Sequence, residues 1–459
     1  VHPDLCAINL ERLGKAKHYL GRYTEAIECF EKALADCRKT ELQEEEGVIL
    51  GHLGHSYRAL GRTEEAIYSY LQALRTAQQT GDRRTEAQQL GRLGTYYHDQ
   101  GRFRNAIEFY NKALAIARET GDHQQESFQL GNLGHAYRDL GYVDRSLKLH
   151  KEDLAITRRL GHRRAEGAVI AQIATCYQLL GQFERSSQLY KDSLAISTEV
   201  NEQRGQTAAL GNMGEIFYAL GKTELAVDFY EQALKIARRI GNQRYESMQL
   251  NRLGNAYYAL RKIVQAEEYY GESLDISRKI DYQVGKGYSL LGLGMTNLCN
   301  GNPIIARNYC LDVLALNIPM IGYVATLVCG IVALYQHYIA DGSSTFTNAA
   351  TQCQVLLKKA PRIYNPRYVL ATALVGQVVC DPRWIDTDQR ADLLAPALAE
   401  YRLALKITSA PGVVRDALRD LKLIRAVGIE GLEPVFALLE QALNADTPAT
   451  EGSSDLGTE

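Results

Sequence analysis

The sequence predicts an all-α fold: an α-solenoid of about eight stacked helix-turn-helix repeats in a right-handed superhelix, followed by a non-repeating helical region. Three observations predict it. The segment LGNLGHAYRDLG, starting at Leu130, returns in the same frame every 40 residues, as LGHLGHSYRALG at Leu50, LGRLGTYYHDQG at Leu90, LGNMGEIFYALG at Leu210 and LNRLGNAYYALR at Leu250. A fixed period of this size marks stacked two-helix units that bury apolar faces against one another. Within a copy the apolar residues follow i, i+3, i+4, i+7: Leu90, Leu93 and Tyr97, then Phe103, Ala106, Ile107, Tyr110 and Leu114 in the third copy, a helical period without strand-like alternation. Hydrophobic residues make up 46% of the 459 residues, ample for a continuous core.

The eight copies align by simple steps of 40. The first helix carries Gly14, Gly54, Gly94, Gly134, Gly214, Gly254 and Gly294, with Ala174 in the fifth copy. An aromatic follows three residues later at Tyr57, Tyr97, Tyr137, Tyr177, Phe217 and Tyr257. The second helix carries a small residue at Ala26, Ala66, Ala106, Ser146, Ser186, Ala226, Ala266 and Ala306, and a leucine from Leu34 to Leu314 in every copy. Gly101 separates the two apolar series of the third copy and Gly121-Asp122 closes it, which places helices at about 83–99 and 103–120. A glycine inside a helix costs about 1 kcal/mol against alanine, so its recurrence at one register points to two helices that approach closely there. Asn201 and Asp281 replace glycine at two corners; both types tolerate a left-handed backbone.

This pattern resembles the tetratricopeptide repeat: the small residue of the first helix, the Leu-Gly that ends it, the aromatic after the turn (Tyr23, Phe103, Phe183) and the alanine of the second helix all match. It departs in having leucine (Leu10, Leu50, Leu90) where tryptophan is usual, and a Gly-Asp corner where proline is usual. The 40-residue form is similar to the repeats of Pins-type and kinesin-light-chain-type adaptors, and to the C-terminal repeats of bacterial STAND-class regulatory NTPases. The resemblance covers about residues 5–316. It implies a repeat scaffold that holds a protein or peptide in a concave groove.

The expected domain organisation is residues 1–318 as eight repeats, 319–445 as a helical C-terminal capping domain, and 446–459 as a disordered acidic tail. The apolar run from Met320 to Ala340 is long enough to span a membrane. It has no basic flank and ends in Tyr335-Gln336-His337-Tyr338, so it reads as a buried core helix. Loop signals at Asp341-Gly342-Ser343-Ser344, Pro361, Asn365-Pro366, Asp381-Pro382 and Pro411-Gly412 bound helices near 346–359, 367–380, 388–408, 412–426 and 431–445.

A net charge of −2 supplies no field for nucleic acid or an anionic membrane. Nine scattered cysteines without a CxxC pair fit reduced thiols and a cytoplasmic setting. Starting at Val1 a few residues before a repeat motif, the sequence reads as a piece of something longer. No catalytic or phosphate-binding motif occurs, so no enzyme activity and no cofactor are expected. His52 and His55 lie three apart on one helix, yet without a third ligand they read as groove-lining polar residues rather than a metal site. Arg118, Arg158-Arg159, Arg238-Arg239 and Arg278 all fall in the last turn of a second helix, where cations offset the helix dipole.

The informative residues lie on the non-core face of the first helices: His52, His55 and Arg58; Arg92 and His98; Asn132, His135 and Arg138; Gln172; Asn212, Glu215 and Tyr218; Arg252, Asn255 and Tyr258. They offer bidentate donors, amides and aromatic faces suited to a peptide backbone and carboxylates. By the resemblance, Asn132 and Asn212 occupy the position that contacts an extended peptide in such adaptors; Arg92, Arg252 and His52 depart from it. A second row of helix glycines, Gly51, Gly91, Gly131 and Gly211, admits two readings: close approach of a ligand chain, or tight packing between neighbouring repeats. The expected function is a protein-binding scaffold, the ligand-sensing C-terminal region of a larger STAND-like NTPase with that domain in cis, or alternatively a free-standing adaptor bridging two proteins.

Overall fold

A computed structural model describes residues 3–316 and 318–445. Among the described residues it is all-α, with no strand. The repeats are helix pairs: α1 (Pro3–Tyr19) and α2 (Tyr23–Lys39), α3 (Gln43–Ala59) and α4 (Thr63–Thr80), α5 (Arg83–Asp99) and α6 (Phe103–Glu119), α7 (His123–Asp139) and α8 (Val143–Arg159), α9 (Arg163–Leu179) and α10 (Phe183–Glu199), α11 (Gln203–Ala219) and α12 (Thr223–Arg239), α13 (Gln243–Ala259) and α14 (Ile263–Lys279), α15 (Gln283–Cys299) and α16 (Pro303–Ala315). There follow α17 (Pro319–Tyr335), α18 (Ile339–Lys359), α19 (Asn365–Val379), a 3-10 turn at Pro382–Ile385, α20 (Arg390–Ile407), α21 (Pro411–Arg425) and α22 (Glu433–Ala445). The chain packs as two compact units, residues 1–162 with α1–α8 and residues 163–459 with α9–α22.

The corners are built by two residues with different tasks. Gly81 and Gly121 take left-handed φ values of 75° and 66° and end the second helices. The next residue caps the following helix: the carboxylates of Asp82 and Asp122 accept from the Thr85 and Gln125 backbone N–H groups, each at 3.0 Å. Asn201 and Asp281 hold the same corner at φ 51°, as expected of those residue types. The arginines near the second-helix ends do more than face a dipole. Arg118 and Arg238 reach the first turn of the next helix, at 2.9 Å to Glu126 and 2.8 Å to Glu246.

The first seven repeats each close around one ring, and the eighth places Cys310 there. A Cβ on Gly94 would fall 2.6 Å from the Tyr110 ring, and glycines 54, 134, 214 and 254 meet Tyr70, His150, Tyr230 and Tyr270 in the same way. Tyr70, Tyr110, Tyr190, Tyr230 and Tyr270 are all buried. The first-helix glycine is therefore the seat of an aromatic sixteen residues on. The aromatic near the end of the first helix adds a second lock, stacking at 5.1–5.2 Å in the pairs Tyr97–Phe109, Phe217–Phe229 and Tyr257–Tyr269.

Past the last repeat the sequence period stops, but the packing device does not. Gly330 of α17 seats Phe346 of α18, again sixteen residues later, with a hypothetical Cβ 2.7 Å from the ring. The apolar run expected as a core helix is α17, whose Ile321, Leu327, Ile331 and Val332 are buried in one cluster with Phe346, Ala349 and Cys353. No helix among the described residues is long and apolar enough to cross a membrane. One expectation is corrected: Asp341-Gly342-Ser343-Ser344 is not a loop but the first turns of α18. Asp341 sits where an acid favours a helix start, and Ser344 and Thr345 donate to its carbonyl at 3.0 and 2.6 Å. The tail expected at 446–459 lies outside the described residues.

Candidate binding face

In residues 1–162 the exposed sides of the first helices form a continuous polar surface whose groups pair along the stack. His52 Nε2 lies 3.3 Å from Glu11, and His18 Nδ1 lies 2.9 Å from Ser56 Oγ. One repeat on, Arg58 donates to Asp99 at 2.9 Å; another repeat on, His98 Nε2 lies 3.0 Å from Asp139, which Arg138 also contacts at 3.1 Å. Burial pushes the Asp139 carboxyl up, but His98 and Arg138 more than offset this and hold it below its usual range. The ring of His135 lies 5.3 Å from that of His150, and the buried Asn132 Nδ2 has no hydrogen-bond partner.

Arg92 sits deepest. Its Nη1 donates to the Gln89 amide oxygen at 3.2 Å, and the same nitrogen fills the space that a Cβ on Gly51 would need. Gly91 in turn accommodates Gln129, with a hypothetical Cβ 2.6 Å from Nε2. For Gly51, Gly91 and Gly211 this supports the second of the two sequence readings: these glycines make room for side chains of the neighbouring repeat.

Burial, with Arg92 and Arg58 close by, pushes the His55 pKa down to about 3. Burial likewise lowers His52, against the pull of Glu11, and lowers His18. At neutral pH His18, His52 and His55 are thus neutral imidazoles beside the Arg58 and Arg92 guanidinium groups. Among the described residues no group of three side chains could hold a metal ion.

In residues 163–459 the corresponding face is partly filled by the chain itself. Gln172 is half-buried in the fifth copy. In copies six and seven Arg252 is fully engaged, 2.9 Å from both Glu215 and Asn212, and Asn255 accepts from the Tyr270 hydroxyl at 2.7 Å. Helix α21 then lies across this face. A Cβ on Gly412 would collide with the Tyr218 carbonyl oxygen and come within 2.7 Å of that of Ala219, so only glycine permits the approach. The Tyr218 hydroxyl donates to Asp416 at 3.0 Å, Arg415 donates to the Gly221 carbonyl at 3.2 Å, and the Arg419 guanidinium stacks 4.9 Å from the centre of the Tyr258 ring. Burial pushes the Tyr218 hydroxyl far above its ordinary pKa, with Asp416 adding to the shift. Between α21, α22 and the ends of α11 and α13 remains a cleft of about 460 Å³, lined by Tyr218, Tyr258, Arg415, Asp416, Arg419 and Glu440 among others. Tyr218 and Tyr258, expected on the binding face, are both engaged by α21 and line this cleft. The Tyr218 hydroxyl and the Tyr258 ring face are taken by one helix far away in sequence, which no local pattern announces.

Sequence reasoning also missed Asp416, Arg415 and Arg419, and the ring row at Tyr70, Tyr110, His150, Tyr190, Tyr230 and Tyr270. The row was there to find, since it repeats at a strict step of 40.

Stacked helix pairs with a polar inner face of this kind define an α-solenoid scaffold. The tetratricopeptide repeat profile matches residues 4–79, 85–159, 124–199 and 163–239, and a second tetratricopeptide repeat profile matches 248–280. The chain belongs to the tetratricopeptide repeat family. No curated protein matches it. Among solved structures it is similar to a Rap protein complexed with competence and sporulation factor (13% identity, 78% of this chain and 99% of that one, TM-score 0.58). It is also similar to a Pyrococcus horikoshii signal-transduction ATPase with numerous domains that carries a tetratricopeptide repeat sensor (15% identity, 67% of this chain and 47% of that one, TM-score 0.50). A third is a Podospora anserina kinesin light chain with nearly identical repeats (22% identity, 44% of this chain and 98% of that one, TM-score 0.38). Repeats of this family generally bind proteins or peptides, and the scaffold seen here is consistent with that role.

Proposed function

We propose that the chain is a protein- or peptide-binding scaffold and forms the ligand-sensing C-terminal region of a larger STAND-like signalling NTPase, with the trigger held on the concave face of the repeats. Residues 1–318 supply the repeats and 319–445 a helical module that closes over copies six and seven. The observation that carries this reading is the unlike polar row on the first helices of copies two to four (His52, His55, Arg58, Arg92, His98, Asn132, His135, Arg138). Mixed arginine, histidine and amide is the equipment of a recognition surface. The role needs no catalysis or cofactor. The near-neutral charge argues against nucleic acid or membrane as the partner, and the scaffold works in the cytoplasm.

The test is capture of partners from lysate of the source cells by the wild-type chain and by an Arg58→Glu, Arg138→Glu double variant. Captured proteins are identified by mass spectrometry and folding is checked by circular dichroism. We expect capture to be lost with helicity unchanged; capture that survives both reversals places the partner elsewhere. Reading the encoding gene in full then separates sensor from adaptor. An NTPase in the same frame supports the sensor, and its absence favours the free-standing adaptor bridging two proteins.

A further inference from the structure

The stack contains its own control for one position. Arg92 and Arg252 stand 160 residues apart, four periods, at the same register of their first helices. Both guanidinium groups are seated alike: each Nη1 fills the space over a helix glycine, Gly51 or Gly211, and each donates to the glutamine three residues before it, at 3.2 Å from Gln89 and 3.3 Å from Gln249. Their counter-groups differ. Arg252 meets the Glu215 carboxylate and the Asn212 amide oxygen, each at 2.9 Å. Four periods earlier the same two registers hold His55 and His52, and among the described residues no carboxylate pairs with Arg92. A buried guanidinium without a counter-charge is costly, and the fold has solved that problem at one twin and not at the other.

We propose that the concave face of copies one to three is a receptor for a carboxylate of the bound peptide or protein trigger, seated on Arg92 where Glu215 sits on Arg252. This rests on the scaffold reading above and gives the trigger its chemistry. The planar fork of arginine matches a carboxylate bidentately. The groups that face the site are Glu11, Lys15 and His18 from α1, Tyr23 from α2, His52, His55 and Arg58 from α3, Tyr70 from α4, and Arg92 and Asp99 from α5. Glu11 is engaged by His52 and Lys15, and Asp99 by Arg58, so neither supplies the missing charge. Burial first, then Arg92 and Arg58, keep the His55 imidazole neutral, so the ring adds no charge of its own beside the Arg92 seat.

The experiment is isothermal titration of the full chain at pH 7 with acetyl-pentaglutamate amide, acetyl-pentaglutamine amide and inorganic phosphate. We expect the glutamate peptide alone to bind. Arg92→Gln should weaken it about tenfold or more. His55→Glu should abolish it while raising Tm, because the transplanted carboxylate satisfies Arg92 from within. Equal binding by wild type and His55→Glu, or no binding of the glutamate peptide to wild type, overturns the proposal. Phosphate binding as tightly as the peptide overturns the carboxylate assignment. A chain that ignores the glutamate peptide yet loses its cellular partner on reversal of Arg58 and Arg138 keeps the scaffold reading and loses this one.

Discussion

His150 shows what a single register position costs when it departs from its column. Tyrosine fills this place in copies two, three, five, six and seven, and its hydroxyl usually finds a partner on the first helix, as Tyr190 does with Thr175 at 2.9 Å. The buried His150 ring leaves both nitrogens without one. Burial, helped by His135 and Arg138, pushes its pKa down to about 3. A histidine whose folded pKa lies below its unfolded value of about 6.5 stabilises the fold only above that value, and the contribution is lost as pH falls toward 3. His150→Tyr is therefore expected to flatten the loss of stability between pH 6.5 and 4 and to add about 1 kcal/mol at neutral pH, read by urea melts across that range. Three residues on, Asp153 has the opposite sign. Burial pushes its carboxyl up to about 6, only partly offset by the Ser127 hydroxyl that donates at 2.5 Å. Because the folded state holds that proton more tightly, the contribution is present below about pH 4 and lost as pH rises through 6. Asp153→Asn should raise Tm at pH 7.5 and leave it unchanged at pH 4.

At the scale of the element, two devices decide whether helices form and stay seated. The first is the corner, where a left-handed residue is followed by an N-cap. Removing the cap with Asp122→Ala should cost about 1 kcal/mol, seen as a fall in Tm and as faster amide exchange in the first turn of α7. The second is the landing of α21. Gly412 meets backbone, not a flexible side chain, so the neighbour cannot give way. Alanine there gains about 1 kcal/mol of helix propensity but overpacks at a cost of about 1–3 kcal/mol or more. Overpacking should win: Gly412→Ala is expected to lower Tm and to expose Tyr218, read as ultraviolet difference absorbance. A neutral outcome would mean that α21 does not rest on Tyr218.

At the scale of the molecule, stability in a repeat stack is the sum of nearest-neighbour terms, so protection should follow local packing. The largest cluster of buried residues runs from Tyr258 through α17–α21 to Leu439. Hydrogen exchange should therefore be slowest in α13–α19 and fastest in α1; uniform exchange along the chain would contradict this.

The all-α repeat fold and its helix pairs were legible in the sequence, because each depends on contacts within one repeat or with the next, and such contacts recur every 40 residues. The helices of the third copy, expected at 83–99 and 103–120, are Arg83–Asp99 and Phe103–Glu119. Arg92 could be placed on a first helix from sequence, but its missing counter-charge could not, since it depends on which side chains of the neighbouring repeat turn toward it. The cover over Tyr218 and Tyr258 was hidden for a stronger reason. The hydrogen bond from Tyr218 to Asp416 spans 198 residues and joins a periodic segment to an aperiodic one. Local periodicity carries no information about such a pairing, and only the folding of α21 back onto copies six and seven decides it.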